Sequence, residues 1–181
     1  MIGNVVARRY AKALVETVAE KGLDFDAIHG EIEGLAGIIE SSRDLTRLLY
    51  SPSIRMEVKR GIVEDLISRS ELSDLATTFV KLLLEKGRLR YLASAAETFE
   101  YLANERLGRI KVAVTSATAL AKGDVKRLKT ELEETTGKTV MIETSVDPDL
   151  IGGVVVRIGD RVLDGSIKHQ LAAMRESLVR G

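Results

Sequence analysis

Apolar residues recur at every third or fourth position from residue 4 to about residue 107, and at alternate positions after Gly108. The first spacing is typical of amphipathic helices, and the second is typical of half-buried strands. The pattern therefore predicts a mainly α protein. An N-terminal six-helix bundle over residues 1–107 should be followed by a small α/β domain over residues 108–181, with a mixed sheet and a β-hairpin.

Residues that break or cap helices set the limits of the six predicted helices. The first helix ends at Gly22, the third stops before Pro52, and the fifth ends at Gly87. Glycine favours the left-handed turn that closes a helix, and proline distorts the residue before it. Ser53 is predicted to cap the fourth helix and Ser70 to start the fifth. The first helix carries a broad, alanine-rich apolar stripe, which consists of Val6, Ala7, Tyr10, Ala11, Ala13, Leu14 and Val18.

The C-terminal domain alternates between the two patterns. The segment "RIKVAVTS" (109–116) predicts a strand, residues 122–136 predict a helix, and "KTVMIETSV" (138–146) predicts a second strand. The segments "GVVVRI" and "RVLD" predict two further strands that form a hairpin. A final helix is predicted from an apolar face that consists of Ile167, Leu171, Met174 and Leu178.

A segment rich in glycine and aspartate, "DPDLIGGVVVRIGDRVLDGSIKHQL" (147–171), is the first candidate for ligand chemistry. Phosphate-binding loops place their glycines between a strand and a helix, whereas the Gly152-Gly153 pair precedes a strand. Turns and helix caps select the same residue types. We therefore predict structural turns and caps, with a positive φ at the first position of the hairpin turn. These positions are Gly152, Gly153, Gly159, Asp160, Gly165 and Ser166.

The composition argues against several classes of function. The chain has 181 residues, with 27 Asp and Glu against 27 Lys and Arg. It therefore lacks the basic excess of nucleic-acid binders and of proteins that bind anionic membranes through a polybasic patch. It has no cysteine, which excludes disulfides and thiolate metal sites. No apolar run reaches the roughly 18 residues of a membrane span, and no signal peptide or presequence is recognisable. We expect a soluble, intracellular protein without direct membrane insertion.

No arrangement of residues predicts catalysis, a metal site or a cofactor. The aspartates lack the spacing of a calcium loop, and no G-x-S-x-G elbow is present. His29 and His169 lie on predicted helices without a second His or Cys at zinc-site spacing, so we interpret both as surface residues. We expect no catalytic, cofactor-binding or metal-binding residue.

Four segments resemble one known family, the delta subunits of F-type ATP synthases, whose mitochondrial relative is the oligomycin-sensitivity-conferring protein. They are "ARRYAKAL" (7–14), "LLLEKGRL" (82–89), "GRIKVAVTSATAL" (108–120) and the glycine-rich segment (147–171), and together they cover the chain in the family's order. The resemblance implies a non-catalytic stator subunit that links the catalytic head to the peripheral stalk and so couples rotor torque to ATP synthesis and ion (proton) transport. It also implies a peripheral position in that complex, at the cytoplasmic face of a bacterial cell membrane.

The resemblance further implies two partners. The helical domain is expected to grip the N-terminal helix of an ATP synthase alpha subunit, in a groove between the first and fifth helices. The C-terminal domain is expected to hold the b subunits of the stalk, with its glycines shaping the domain rather than touching the partner. Matching positions place the groove at Ala7, Tyr10, Ala11, Leu14, Leu75, Phe79, Leu82 and Leu83. Periodicity alone does not separate groove residues from core residues.

Two other functions stay open at this point. One is a nucleic-acid-binding adaptor with a KH-like α/β domain, because "LIGGVV" (150–155) faintly resembles the glycine loop of KH domains. The charge balance disfavours it, and an RNA-binding assay at low salt would decide. The other is a hydrolase that uses Asp160 and Asp164, whose mutation would then abolish a measurable activity.

Overall fold

A computed structural model describes residues 5–159, 161–169 and 171. The chain divides into two compact units, which we call the N-terminal unit (Met1–Ala103) and the C-terminal unit (Asn104–Gly181). A 3₁₀ turn, Leu89–Tyr91, precedes the last helix of the bundle. The helices of the bundle are α1 (Val5–Lys21), α2 (Phe25–Ser41), α3 (Arg43–Tyr50), α4 (Met56–Ser70), α5 (Asp74–Glu85) and α6 (Leu92–Arg106).

The helices pack around one continuous apolar core, as their periodicity predicts. The buried stripe of α1 differs from the predicted one, because Val15 is buried and Ala13 is exposed. Val15 lies four residues after Ala11 and therefore on the same face, whereas Ala13 lies two residues after it and points away. The buried residues of α1 are Ala7, Ala11, Leu14, Val15 and Val18.

The cap predicted for the fourth helix is wrong. α4 begins at Met56, with Arg55 at the N-cap position and no side-chain hydrogen bond to the first turn. Ser53 instead donates its backbone N–H to Ser51 Oγ at 3.3 Å. The segment from 51 to 55 therefore turns locally before the helix starts, and the serine lies too early in the chain to cap it.

The start predicted for the fifth helix is also wrong. Ser70 is the last residue of α4, because Glu71 adopts a left-handed conformation, φ +47°, that ends the helix. Ser73 is the N-cap of α5, and its side chain accepts a hydrogen bond from the backbone N–H of Ala76. Both serines suit a helix start, and the left-handed residue between them decides which one serves.

Within the described residues, the C-terminal unit is a mixed four-stranded sheet with the order β2-β1-β3-β4. Its strands are β1 (Arg109–Ser116), β2 (Thr139–Val146), β3 (Val154–Ile158) and β4 (Arg161–Asp164). β1 and β2 are parallel and are connected through α7 (Lys122–Thr136), while the other two pairs are antiparallel. Leu128 and Leu132 of α7 pack against Val112, Val114 and Val140. The predicted fold class, a helical bundle followed by a small α/β domain with a mixed sheet and a hairpin, is confirmed.

The hairpin between β3 and β4 has a two-residue connection. Ile158 pairs with Arg161, and Gly159 has φ +57°, the sign that the turn prediction required. Asp160 lies outside the described residues. A helical segment follows at residues 167–169 and 171, and the other positions of the predicted final helix, Met174 and Leu178, also lie outside them. In the described part of the chain, no helix is long and apolar enough to cross a membrane.

Candidate functional site

The predicted groove helices, α1 and α5, meet at an aromatic pair. The rings of Tyr10 and Phe79 are 6.5 Å apart between centroids and inclined by 78°, an edge-to-face arrangement. Such pairs contribute about 1 kcal/mol beyond the area they bury. Phe79 is buried in the core, whereas Tyr10 is only partly buried. Tyr10 therefore retains some accessible surface beside its contact with Phe79.

The eight groove candidates separate into core residues and surface residues. Five of them have no more than 6% of their surface exposed and belong to the bundle core, namely Ala7, Ala11, Leu14, Phe79 and Leu83. Tyr10 and Leu75 are partly buried, and Leu82 is 39% exposed. Leu75, Phe79 and Leu82 follow the i, i+4, i+7 spacing of one helix face. A partner can thus touch Tyr10, Leu75 and Leu82, while the five core residues support them from below.

A carboxylate from α2 holds the first turn of α5. Glu31 Oε2 accepts hydrogen bonds from the backbone N–H of Ser73 at 2.9 Å and from its hydroxyl at 2.6 Å. The Ser73 hydroxyl oxygen in turn accepts from the backbone N–H of Ala76 at 3.3 Å. We call this arrangement the Glu31–Ser73 clamp. The clamp is not recognisable in the sequence, because the two residues are 42 positions apart and no local pattern joins them.

His29 is not the surface residue that the sequence predicted. Its ring stacks on Phe99, with 6.5 Å between centroids and an interplanar angle of 14°, and its side chain is 16% exposed. Nδ1 lies 3.8 Å from the Glu33 carboxylate. An imidazole can cover an aromatic core residue with its face while its edge reaches a charged neighbour. His169 does have the predicted exposure, at 61% of its side chain.

The glycines of the C-terminal unit bring two stretches of backbone into contact. Gly165 donates its N–H to the Val154 carbonyl at 2.9 Å, and Ile167 donates to the Gly152 carbonyl at 3.0 Å. Gly153 has φ +82°, and a Cβ there would collide with the Gly165 carbonyl oxygen. The pair has neither the G-x-x-G spacing of KH loops nor a place before a helix. These glycines therefore permit close packing of the chain, which a side chain would prevent.

The turn before the final helical segment is held by polar contacts. Ser166 is 1% exposed; its N–H donates to Asp164 Oδ1 at 2.9 Å, and its hydroxyl oxygen accepts from the His169 N–H at 3.2 Å. Hydrogen bonds from the Ser166 side chain and backbone, and then the nearby His169, lower the pKa of Asp164. The Ser166 hydroxyl oxygen thus accepts a backbone N–H rather than facing the His169 imidazole as a nucleophile would. The arrangement is a helix cap, and it gives the hydrolase hypothesis no support.

The C-terminal unit also exposes apolar side chains near this packed turn. Ile151, which is 70% exposed, has φ +63°, an uncommon conformation for a β-branched residue. The N–H of Gly152 donates to the Leu150 carbonyl across it at 2.7 Å. Ile167 is 42% exposed, and its Cδ1 lies only 2.6 Å from the position that a Cβ on Gly152 would take. Exposed apolar residues are characteristic of interaction surfaces where they form a contiguous patch.

Comparisons with known proteins agree with one another. A family model described as "ATP synthase delta (OSCP) subunit" matches residues 6–178. The chain is 39% identical to ATP synthase subunit delta of Geotalea uraniireducens (strain Rf4) and 40% identical to that of Trichlorobacter lovleyi, over 181 residues and 100% of both chains in each case. A chain in the cryo-EM structure of the Toxoplasma gondii mitochondrial ATP synthase hexamer has a similar fold, with a TM-score of 0.70 and 17% identity over 97% of this chain and 98% of that one.

Proposed function

Because the chain belongs to the family of ATP synthase delta (OSCP) subunits, we propose that it is a non-catalytic stator subunit of an F-type ATP synthase. In this role it links the catalytic head to the peripheral stalk at the cytoplasmic face of a bacterial cell membrane. The head then cannot turn with the rotor, and torque from proton or other ion flow is used for ATP synthesis. The observation that carries the proposal is the family match from residue 6 to residue 178, which includes both units.

The N-terminal unit is proposed to hold the N-terminal helix of an alpha subunit between α1 and α5. Tyr10, Leu75 and Leu82 are the predicted groove residues with accessible surface, and they extend along these two helices. An amphipathic helix that lies in such a groove places apolar anchors at i, i+3 or i+4, and i+7. Few anchors are needed, because a small number of residues supplies most of the binding energy in protein interfaces.

The C-terminal unit is proposed to hold the b subunits of the stalk. It exposes the apolar residues Ile151, next to Gly152 in the chain, and Ile167, whose N–H donates to the Gly152 carbonyl. Burial of such side chains contributes about 25 cal/mol per Å². A static joint requires a slow dissociation rate rather than proton transfer or a nucleophile. A nanomolar dissociation constant at each end corresponds to about −12 kcal/mol.

The groove is tested by substitutions at equally exposed leucines. Leu82 on α5 is 39% exposed and Leu48 on α3 is 37% exposed, so Leu82→Asp and Leu48→Asp introduce the same charge at similar cost to the fold. A synthetic peptide of the alpha-subunit N-terminal helix is titrated against each variant by calorimetry, with circular dichroism as the control for folding. Leu82→Asp should weaken binding at least tenfold, about 1.4 kcal/mol, and Leu48→Asp should leave it unchanged. Equal affinities for the two folded variants would contradict the groove.

Tyr10→Asp provides a second test on the opposite wall of the groove. It should weaken binding of the same peptide while the bundle stays helical, because Tyr10 contacts Phe79 but is only partly buried. Tyr101 on α6 is 66% exposed, and Tyr101→Asp is the matched control. Unchanged peptide affinity in a folded Tyr10→Asp variant would count against α1 as a wall of the groove.

A further inference from the structure

We propose that Glu31 is a positioning residue for the groove between α1 and α5 that holds the alpha-subunit helix. It acts through Ser73 on the first turn of α5. The inference rests on the proposed function, since it concerns the same groove. It assigns a role to a charged residue of α2, which is not one of the apolar groove residues. Its basis is the Glu31–Ser73 clamp, in which one carboxylate oxygen accepts both hydrogen bonds that Ser73 can donate.

The clamp fixes the helix start next to a groove residue. Ser73 is the N-cap of α5, and Leu75 is the second residue of the helix. The first N–H groups of a helix have no partner within it, and a frayed first turn would carry Leu75 away from the line it forms with Phe79 and Leu82. Ser73 retains that turn through its bond to Ala76 N–H, and Glu31 fixes the orientation of the serine that makes the bond.

The charge of Glu31 adds to the hydrogen bonds. A carboxylate near a helix N-terminus interacts favourably with the helix dipole, and hydrogen bonds to an ionised acceptor are stronger than neutral ones. The carboxylate comes from α2, so the position of α5 is fixed against its neighbour in the bundle and not only along its own axis. Glu31 and Ser73 are both partly buried, and the contact is therefore partly shielded from competing water.

Two pairs of variants separate positioning from simple loss of stability. Ser42 caps α3 with a bond of the same length as that of Ser73, 3.3 Å from its hydroxyl to the N–H three residues later. Asp24 caps α2 with a carboxylate. Ser73→Ala and Glu31→Ala each remove part of the clamp, whereas Ser42→Ala and Asp24→Ala remove comparable caps from helices that carry no groove residue. Glu31→Gln keeps a carbonyl oxygen that can accept both bonds.

The experiment measures affinity of the full chain for the synthetic alpha-subunit peptide, together with backbone hydrogen exchange. We expect Glu31→Ala and Ser73→Ala to weaken peptide binding about threefold to tenfold and to increase hydrogen exchange at the start of α5. Glu31→Gln should recover most of the lost affinity. Ser42→Ala and Asp24→Ala should leave peptide affinity unchanged. The inference is overturned if the clamp variants bind like wild type, or if all four alanine variants weaken binding equally. Failure of wild type to bind the peptide would instead contradict the proposed groove itself.

Discussion

Among the described glycines, Gly153 is the one at which the structure predicts the largest local effect of an alanine substitution. The residue has φ +82°, which costs an alanine about 1–2 kcal/mol. The new Cβ would collide with the Gly165 carbonyl oxygen and lie 2.9 Å from Ser166 Cα. Both of these are backbone atoms and cannot rotate away, so one or both hydrogen bonds between the two stretches must break, at about 1 kcal/mol each. The sum is about 2–4 kcal/mol of lost stability in the C-terminal unit.

Two other glycines provide graded controls for this substitution. A Cβ on Gly152 would meet the Cδ1 end of the Ile167 side chain at 2.6 Å, and a change of the Ile167 rotamer can relieve this clash. The φ of Gly152 is not positive. Gly123 lies in α7 with nothing within 4 Å of its Cβ position. We therefore expect Gly152→Ala to cost less than Gly153→Ala, and Gly123→Ala to be neutral or stabilising by up to about 1 kcal/mol.

The assay uses the distribution of tyrosines along the chain. The four tyrosines, Tyr10, Tyr50, Tyr91 and Tyr101, all belong to the N-terminal unit. Their fluorescence therefore monitors that unit alone, while hydrogen exchange of β3 and β4 monitors the packed turn. Gly153→Ala should greatly increase exchange in these strands and leave the native tyrosine signal intact. Wild-type exchange in Gly153→Ala, or an effect equal to that of Gly123→Ala, would refute the close-packing argument.

Three further predictions concern single residues. Gly159→Val should destabilise the hairpin by about 2 kcal/mol through its positive φ alone, since its Cβ position is open; an unchanged melting temperature would contradict it. Burial, and then the charge of Glu40, raise the pKa of Tyr50, so stability should fall as pH rises past about 10, and Tyr50→Phe should remove that fall in an alkaline denaturation series. The lowered pKa of Asp164 contributes stability that is lost as pH falls below its ordinary range; Asp164→Asn should flatten this acid dependence of hydrogen exchange at Ser166.

Local patterns determined most of the element limits. The strand at Arg109–Ser116 and the helix at Lys122–Thr136 have the predicted bounds. In both, the spacing of apolar residues changes at the end of the element or a glycine follows it. The error at Ser53 arose because α4 starts after Arg55 without any side-chain cap, so the expected serine signal is not used. The error at Ser70 arose because Ser70 and Ser73 both suit a helix start and only the backbone conformation of Glu71 selects between them. Intrinsic preference of a residue type is too weak to make that selection.

The site was less accessible to sequence reasoning than the fold. Helical spacing marks Ala7 and Leu82 alike as apolar positions of their helices, and the structure buries the first and exposes the second. The Glu31–Ser73 clamp and the contact between Gly153 and Gly165 join residues that are distant in sequence. Such contacts depend on how helices and strands pack together, and no spacing rule within one element contains that information.

The most direct test of the stator function is a bridging measurement. The alpha-subunit N-terminal peptide is immobilised, the full chain is bound to it, and the soluble part of the b subunits is passed over the surface. We predict that b is retained only when the chain is present and that Leu82→Asp reduces its retention, because less of the chain stays bound to the peptide. Retention of b without the chain, or no retention when wild-type chain is bound, would contradict the claim that this protein joins head and stalk.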